Sequence, residues 1–313
     1  SMLITIGLFL LLFTMGSVVY DNFFSLSTFL NLVTDNASLI IVSVGITFVL
    51  LTGGIDISVA STLAFSCMFS AFLLEAGWPV LAVIPLVLLI GLAVGALMGF
   101  LIQKFELQPF IVTLAGQFFM RGMCAVLKIQ AIPITDPVYK AIALHRISFG
   151  KVKIYSYVLI AIVVVLVAFY VLRYTKFGRN VYAVGGNEQS ALLMGLPAAR
   201  TKISVYAISS FCAALGGIVF SFYTLAGQPL QNMGLELDAI SSAVIGGTLL
   251  TGGVGSVFGS MIGVLIQGII QTIVIYQSLN TWWTKVTIAA LLCFFIVLQR
   301  ILAIRANRKK KIS

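Results

Sequence analysis

Long apolar segments recur along the whole chain, and they decide what it can fold into. Hydrophobic residues make up 60% of the 313 residues and charged residues only 9%, with no long polar insertion between them. A helix needs about 20 apolar residues to cross the ~30 Å hydrocarbon core of a bilayer, where every backbone N–H and C=O group must be paired inside the chain. The sequence therefore predicts an all-α polytopic membrane protein with a single transmembrane domain, residues 1–313.

Glycine, proline and charged residues bound the apolar runs, and these bounds predict about ten transmembrane helices, some interrupted by paired glycines. The first run lacks both a basic leader and a small-residue cleavage site, so we expect a membrane span rather than a signal peptide. The predicted segments are 2–19, 37–52, 59–74, 79–102, 110–127, 154–172, 203–224, 239–250, 256–275 and 284–303.

Lysine and arginine are concentrated in the loop 173–202 and in residues 300–311, which together hold 11 of the 19 basic residues. Cytoplasmic segments of membrane proteins carry an excess of these residues. The pattern predicts a cytoplasmic loop 173–202, a basic cytoplasmic tail 304–313 and a cytoplasmic N-terminus. The net charge of +10 then reflects orientation in the membrane rather than nucleic-acid binding. The loop 128–153 is predicted to be external yet holds five basic residues, which points to a short additional helix there.

The sequence Leu-Leu-Thr-Gly-Gly occurs at 50–54 and again at 249–253, each time followed by a serine at the same offset, Ser61 and Ser260. The apolar segments before these glycines would be only about 24 Å and 18 Å long as helices, too short to cross a bilayer. Glycine-interrupted segments in corresponding parts of a chain indicate a translocation pathway. A pair of ordinary cytoplasmic hairpins is the alternative. The predicted helix breaks are Gly53, Gly54, Gly252 and Gly253.

Polar residues after the first glycine pair and in two apolar segments are candidates for lining such a pathway. Asp56 and Ser58 follow the first glycine pair, where they could instead cap the next helix. Residues spaced by four lie on one face of a helix, and carboxamides both donate and accept hydrogen bonds, as sugar hydroxyls do. The alternative is that these groups only bond neighbouring helices. The residues on such faces are Thr113, Gln117 and Arg121 in the fifth segment and Gln267 and Gln271 in the ninth.

Catalytic and metal sites are not expected in this chain. The four cysteines all lie in predicted spans without CxxC spacing, and the single histidine, His145, has no second ligand at metal-binding spacing. There is no Ser/His/Asp set, and the phosphate-binding pattern G-x-x-x-x-G-K-S/T does not occur. Any ATP hydrolysis that drives this protein would therefore belong to another chain, and this chain itself needs no cofactor.

The middle of the loop 173–202 predicts a short helix outside the membrane. Asn187 is a favourable N-cap, and Gly195 and Pro197 end the pattern. A short amphipathic helix of this kind suits docking into the groove of a partner, with a solvated connector as the alternative.

Long motifs identify a family. The segment KFGRNVYAVGGNEQSALLMGL resembles the coupling-helix segment of ribose/galactose-type sugar ABC importer permeases, and TGGIDISVAS resembles their Gly-Gly-Ile-Asp-Leu-Ser signature. LELDAISSAVIGGTLLTGGVGSVFGS is similar to their C-terminal signature. The resemblance covers nearly the whole chain and is strongest to permeases of galactofuranose importers. The chain departs from the family pattern at Ile57, Ala60 and Ser190, which leaves the exact sugar open.

This resemblance implies a bacterial inner-membrane importer of a monosaccharide. In such an importer two permeases, here expected to be a heterodimer surrounded by membrane lipid, work with ABC ATPase subunits that bind ATP and Mg²⁺ and with an external sugar-binding protein. The resemblance assigns the signature role to Gly53, Gly54, Asp56 and Ser58. It assigns ATPase coupling to Gly186, Asn187, Glu188, Ala191 and Gly195.

A secondary transporter or channel driven by an ion gradient is the alternative function. Such proteins favour paired carboxylates inside the membrane, and this sequence offers mainly the isolated Asp56.

Overall fold

The computed structural model describes residues 2–19, 25–149, 152–230, 232–277, 280 and 282–312; the remaining residues of the predicted loops and tail, such as 20–24, lie outside this description. Fourteen helices and four short strands form in the described part. The helices are α1 Met2–Val19, α2 Leu26–Asp35, α3 Ala37–Leu51, α4 Val59–Glu75, α5 Val80–Lys104, α6 Pro109–Leu127, α7 Pro137–Leu144, α8 Ser156–Tyr174, α9 Lys176–Gly186, α10 Glu188–Leu193, α11 Ala198–Thr224, α12 Leu235–Ile245, α13 Val257–Tyr276 and α14 Trp282–Ile312. The strands are β1 Ile132–Pro133, β2 Arg146–Phe149, β3 Val152–Tyr155 and β4 Ala226–Gly227.

Helices occupy all ten apolar segments that the sequence marks, so the structure is that of a helical, multi-pass membrane protein. Five of them, α5, α6, α8, α11 and α13, are long and apolar enough to cross a membrane, or six if α2 and α3, bent by 58°, form one span. Among the described helices the others are shorter or contain shorter apolar stretches. The count of ten therefore remains a prediction, because length and composition alone support five or six spans.

The segment 128–153 contains the additional short helix that its charge pointed to, α7. Asp136 caps this helix by accepting a hydrogen bond from the N–H of Tyr139 at 2.8 Å. Strands β2 and β3 pair antiparallel after it, and β1 pairs with β4 across the molecule. One basic residue of the segment, Lys128, forms an ion pair with Glu75 at 2.8 Å. Helix α2, in the connection 20–36, was not predicted.

The two halves of the chain repeat one arrangement. Adding 199 to the residue numbers of α1, α3, α4 and α5 gives the positions of α11, α12, α13 and α14 to within a few residues at most ends. Counterparts touch each other: the hydroxyls of Ser43 and Ser242 are 2.8 Å apart, 199 positions apart in sequence. Helix α1 packs on α13 as α11 packs on α4. Residues that touch their own counterparts lie near a two-fold axis, so α3 and α12 run side by side about a local pseudo-two-fold.

Helix α11 lies at the centre of the molecule and packs against α3, α4 and α5. Its contact with α5 is made through glycines. A Cβ atom added at Gly95 would lie 2.3 Å from the carbonyl oxygen of Tyr206, and one at Gly99 would lie 3.0 Å from that of Ile203. Small residues at such an interface allow two helix backbones to approach closely in a membrane.

Replacing Gly95 by alanine is expected to lower the stability of the purified protein by about 1–3 kcal/mol, because the added methyl group overpacks the α5–α11 contact. Gly122 in α6 is the matched control, since a Cβ atom there meets nothing within 4 Å. Thermal unfolding in detergent compares Gly95→Ala with Gly122→Ala. Equal unfolding temperatures for the two variants would contradict the close packing described here.

Candidate functional site

The two glycine breaks meet each other inside the protein. Gly53, Gly252 and Gly253 have φ values of 77°, 85° and 75°, which glycine adopts without the cost that a side chain would add. The N–H of Gly253 donates to the carbonyl oxygen of Leu51 at 2.9 Å. A Cβ atom at Gly252 would lie 2.8 Å from the backbone nitrogen of Gly53. The two turns therefore pack backbone against backbone.

A third glycine pair, Gly185 and Gly186 at the end of α9, packs onto the same point. A Cβ atom at Gly185 would lie only 1.7 Å from the carbonyl oxygen of Leu51 and 2.6 Å from the nitrogen of Gly253. A Cβ atom at Gly253 would lie 2.9 Å from the Cα atom of Gly186. We call this contact, made by Gly53, Gly185, Gly186, Gly252 and Gly253, the glycine junction. It joins the segment before α10 directly to both helix breaks.

Helix α10 has the N-cap that the sequence predicts. The side chain of Asn187 accepts a hydrogen bond from the N–H of Ser190 at 2.8 Å. Gly195, with φ 74°, follows the helix. Ala191 is buried against α9 and α11, and Glu188 forms an ion pair with Lys202 at 2.6 Å. Three apolar side chains of this segment are exposed, Leu192, Leu193 and Met194.

A tyrosine makes a further link between α9 and the second break. The hydroxyl of Tyr182 donates to the carbonyl oxygen of Gly255 at 2.9 Å. Burial raises the pKa of Tyr182, so the hydroxyl keeps the proton that it donates. The segment before α10 is thus held to the second break by a side chain as well as by glycine contacts.

Asp56 is fully buried between α4 and α11, and three donors surround its carboxylate. The N–H and hydroxyl of Ser58 donate at 3.0 and 2.6 Å, and the hydroxyl of Ser209 donates at 2.7 Å. The carboxylate thus bonds the residue that precedes α4 and a residue of α11. The hydroxyl of Ser58 donates to Asp56, and it accepts no capping hydrogen bond from α4. Lining of a pathway by either residue stays a prediction.

One glutamine from each of the two polar helix faces bonds the first turn of α12. From α6, Gln117 Nε2 donates to Glu236 Oε1 at 3.2 Å, and Arg121 Nη1 donates to the carbonyl oxygen of Pro229 at 3.0 Å. From α13, Gln267 Nε2 donates to the carbonyl oxygen of Asp238 at 3.0 Å. Thr113, the remaining residue on the α6 face, is buried and bonds the backbone of its own helix.

Helix α12 is about half as long as a membrane span. It connects the polar contacts at its first turn to the glycine junction. Its 11 residues extend about 16 Å, roughly half of the hydrocarbon thickness. Its first turn lies beside Gln267, near the middle of the 20-residue helix α13. Acidic residues in this turn, Glu236 and Asp238, complement the positive end of the helix dipole. The other end of α12 leads through Gly246 and Gly247 to the glycine junction.

A cavity of about 160 Å³ lies beside this first turn. We call it the polar cavity. Lys285 Nζ bonds Asp238 Oδ2 at 2.5 Å at its wall. Gln267 and Gln271 both line it, so the second predicted polar face reaches a cavity, together with residues that were not predicted. The polar lining consists of Asn36, Asp238, Gln267, Gln271, Thr284 and Lys285.

The missed residues of these sites come from segments far apart in sequence. Gly185 belongs to one of five Gly-Gly pairs in the sequence, but nothing in the sequence placed that pair against the two helix breaks. Thr284 and Lys285 directly follow two tryptophans, Trp282 and Trp283, and no polar helix face in the sequence includes them. Among the described residues, no group of three or more His, Cys, Asp and Glu side chains could hold a metal ion. Three cysteines are buried, whereas Cys293 is exposed.

Comparison with known proteins shows which family this chain is similar to. The family model described as branched-chain amino acid transport system / permease component matches residues 28–296. The inner membrane ABC transporter permease protein YjfF of Escherichia coli K12 is 45% identical over 96% of this chain and 91% of its own length. The fructose import permease FruG of Bifidobacterium longum is 36% identical over 98% and 93%. The ribose import permease RbsC of Haemophilus influenzae is 34% identical over 88% and 86%. No solved structure matches.

Replacing Gly185 by alanine is expected to destabilise the glycine junction, because its Cβ atom would overlap the carbonyl oxygen of Leu51. We expect a large loss of protein in the membrane, or a fall in unfolding temperature beyond that of ordinary surface variants. The neighbouring Gly186→Ala is the control, since a Cβ atom there meets nothing within 4 Å. Membrane abundance and thermal unfolding measure both variants. A Gly185→Ala protein as abundant and stable as Gly186→Ala would show that the junction is not closely packed.

Proposed function

Because the chain belongs to the family of branched-chain amino acid transport system permease components, we propose that it is the transmembrane permease subunit of an ATP-driven sugar importer. The observation that carries this proposal is the glycine junction, which connects an exposed helix outside the spans to two broken helices inside them. A chain that receives force from another subunit needs such a connection. Relatives named as fructose and ribose import permeases support a sugar as substrate.

The proposed pathway runs past the first turn of α12. Carboxamides that both donate and accept suit a substrate made of hydroxyl groups, and contacts of this kind let a substrate pass without being held tightly. The discontinuous helix matches the way transporters place polar groups at membrane depth. The residues proposed to border the pathway are Thr113, Gln117, Arg121, Gln267 and Gln271. Asp56 and Ser58 are proposed to stabilise the first helix break next to this pathway.

The proposed coupling starts at α10. Leu192, Leu193 and Met194 offer an apolar docking face to a separate ATPase subunit, which binds ATP and Mg²⁺. Movement of α10 would pass through Gly185 and Gly186 to both breaks, since no side chain separates these backbones. Closely packed contacts of this kind move as units between discrete arrangements. The cavity would thereby switch its access from one side of the membrane to the other, with no catalytic residue in this chain.

The finer assignments rest on the sequence motifs. We propose galactofuranose or a related monosaccharide as the substrate, a second and different permease as the partner, and an external sugar-binding protein as the source of specificity. The location is the bacterial cytoplasmic membrane, with both termini and the loop 173–202 in the cytoplasm. Lys128 and Glu75 pair on the opposite, external side in this orientation.

Reconstitution tests the function. The complete complex, purified with the co-encoded ATPase and permease and placed in liposomes with the sugar-binding protein, should take up labelled galactofuranose, ribose or fructose only when it is supplied with ATP. Leucine tests the substrate class of the family description. Sugar uptake driven by an ion gradient without the ATPase would instead establish the secondary-transporter alternative, and uptake of leucine alone would contradict a sugar substrate.

Glu188→Lys is expected to release the ATPase from the permease, because it breaks the ion pair with Lys202 that holds α10 against α11 and places two positive charges together. Affinity purification of the permease should then recover at least about tenfold less ATPase at equal membrane abundance. The charge-swapped variant Glu188→Lys/Lys202→Glu restores the pair and should recover part of the association if orientation of α10 is the cause. Unchanged recovery of the ATPase with Glu188→Lys would refute the docking role.

A further inference from the structure

Within the part of the chain that the structure describes, two buried polar atoms at the polar cavity have no hydrogen-bond partner. They are the side-chain oxygen Oε1 of Gln267 and the hydroxyl oxygen of Thr284. Gln267 is only 3% exposed and Thr284 only 7%. Buried polar groups are nearly always bonded, and each one left unbonded is destabilising. Two such atoms from different helices at one cavity favour a polar occupant there.

The size and charge of the polar cavity limit what this occupant is. Its volume of about 160 Å³ is smaller than that of pockets for drug-sized ligands, which suits a small ring compound rather than a peptide. Asp238 and Lys285 neutralise each other. The remaining polar residues, Asn36, Gln267, Gln271 and Thr284, are uncharged and can both donate and accept. A free amino acid would have to break the Asp238–Lys285 pair to gain two charged partners, and an ionised sugar would require a net positive site.

We propose that the polar cavity is a binding site for a neutral monosaccharide within the permease itself, in which Gln267 Oε1 and the Thr284 hydroxyl bond two of its hydroxyl groups. This inference rests on the proposed function and adds a defined site to it. Leu39 and Ile288 line the same cavity and provide apolar contacts for the C–H face of a sugar ring.

Helix α12 connects this site to the coupling segment. Gln267 Nε2 is bonded to the carbonyl oxygen of Asp238, which fixes the direction of Oε1. Asp238 also holds Lys285 of α14. When α12 moves at the glycine junction, both contacts move with its first turn. The site therefore changes shape when the coupling segment moves, which is the behaviour required to accept a sugar on one side and release it on the other.

Removal of one hydroxyl tests the site. Thr284→Val keeps the shape of the side chain, and Thr287→Val on the same helix is the control, because its hydroxyl bonds the carbonyl oxygen of Trp283 and the residue is exposed. In the reconstituted complex, Thr284→Val and Gln267→Met should each reduce sugar taken up per ATP hydrolysed by about 3- to 10-fold, as expected for one lost hydrogen bond. Thr287→Val should match the wild type.

A second measurement does not depend on transport. Gln271 is exposed at the cavity, so Gln271→Cys in a Cys293→Ser background introduces a reactive thiol beside the site. D-galactose should slow labelling of this thiol, whereas D-galacturonate, its ionised counterpart, should not.

The outcomes separate the site from the function. Wild-type complex that shows no ATP-driven sugar uptake would overturn the proposed function. Wild-type uptake, with Thr284→Val and Gln267→Met behaving like Thr287→Val and no protection of the thiol by D-galactose, would overturn the site alone. Protection by both compounds would overturn the preference for a neutral ligand.

Discussion

Direct contact between backbones at the glycine junction is the constraint on which the rest of this structure depends. The Cβ distances of 1.7 to 2.9 Å at Gly185, Gly252 and Gly253 leave no space for any side chain. Flexible side chains between moving parts would absorb a displacement, because they change rotamer at small cost. Backbones in contact cannot do this, and well-packed interiors transmit strain. The junction therefore explains why a very apolar chain interrupts itself with paired glycines at widely separated positions.

The two halves of the repeat are not equivalent, and the difference creates the candidate site. Helix α3 continues to Leu51, whereas its counterpart α12 ends at Ile245, because Gly246 and Gly247 stand where the first half has Thr47 and Phe48. Close packing of α12 on α13 follows: a Cβ atom at Gly263 would lie 1.9 Å from the carbonyl oxygen of Ser242.

The first half packs α3 and α4 less closely, since its counterparts of Gly259 and Gly263 are Ala60 and Ala64. The internal repeat thus positions the glycine junction. Where the two halves differ, α12 is shorter than α3, and its acidic first turn lies beside the middle of α13.

Sequence reasoning found the features that depend on local order and missed those that depend on long-range contact. The apolar segments, the Asn187 cap and the face shared by Gln267 and Gln271 follow from helix periodicity and end chemistry. The number of spans remains a prediction, because segments such as α12 are too short to be counted by length. The junction of three glycine pairs and the approach of Thr284 to Gln267 depend on how α9 and α14 pack, which no local pattern specifies.

A single rigid element between two sites makes their behaviour reciprocal. The first turn of α12 holds Gln267 and Lys285, and its opposite end leads to the junction that touches the segment before α10. If displacement of α10 changes the affinity of the polar cavity, occupancy of the cavity must change the preferred position of α10 by the same factor. A bound sugar would then favour one arrangement of the docked ATPase before any nucleotide is hydrolysed. Under the proposed function, the energy of ATP would then be used where substrate is present, because the same half-helix would both respond to occupancy and receive the force.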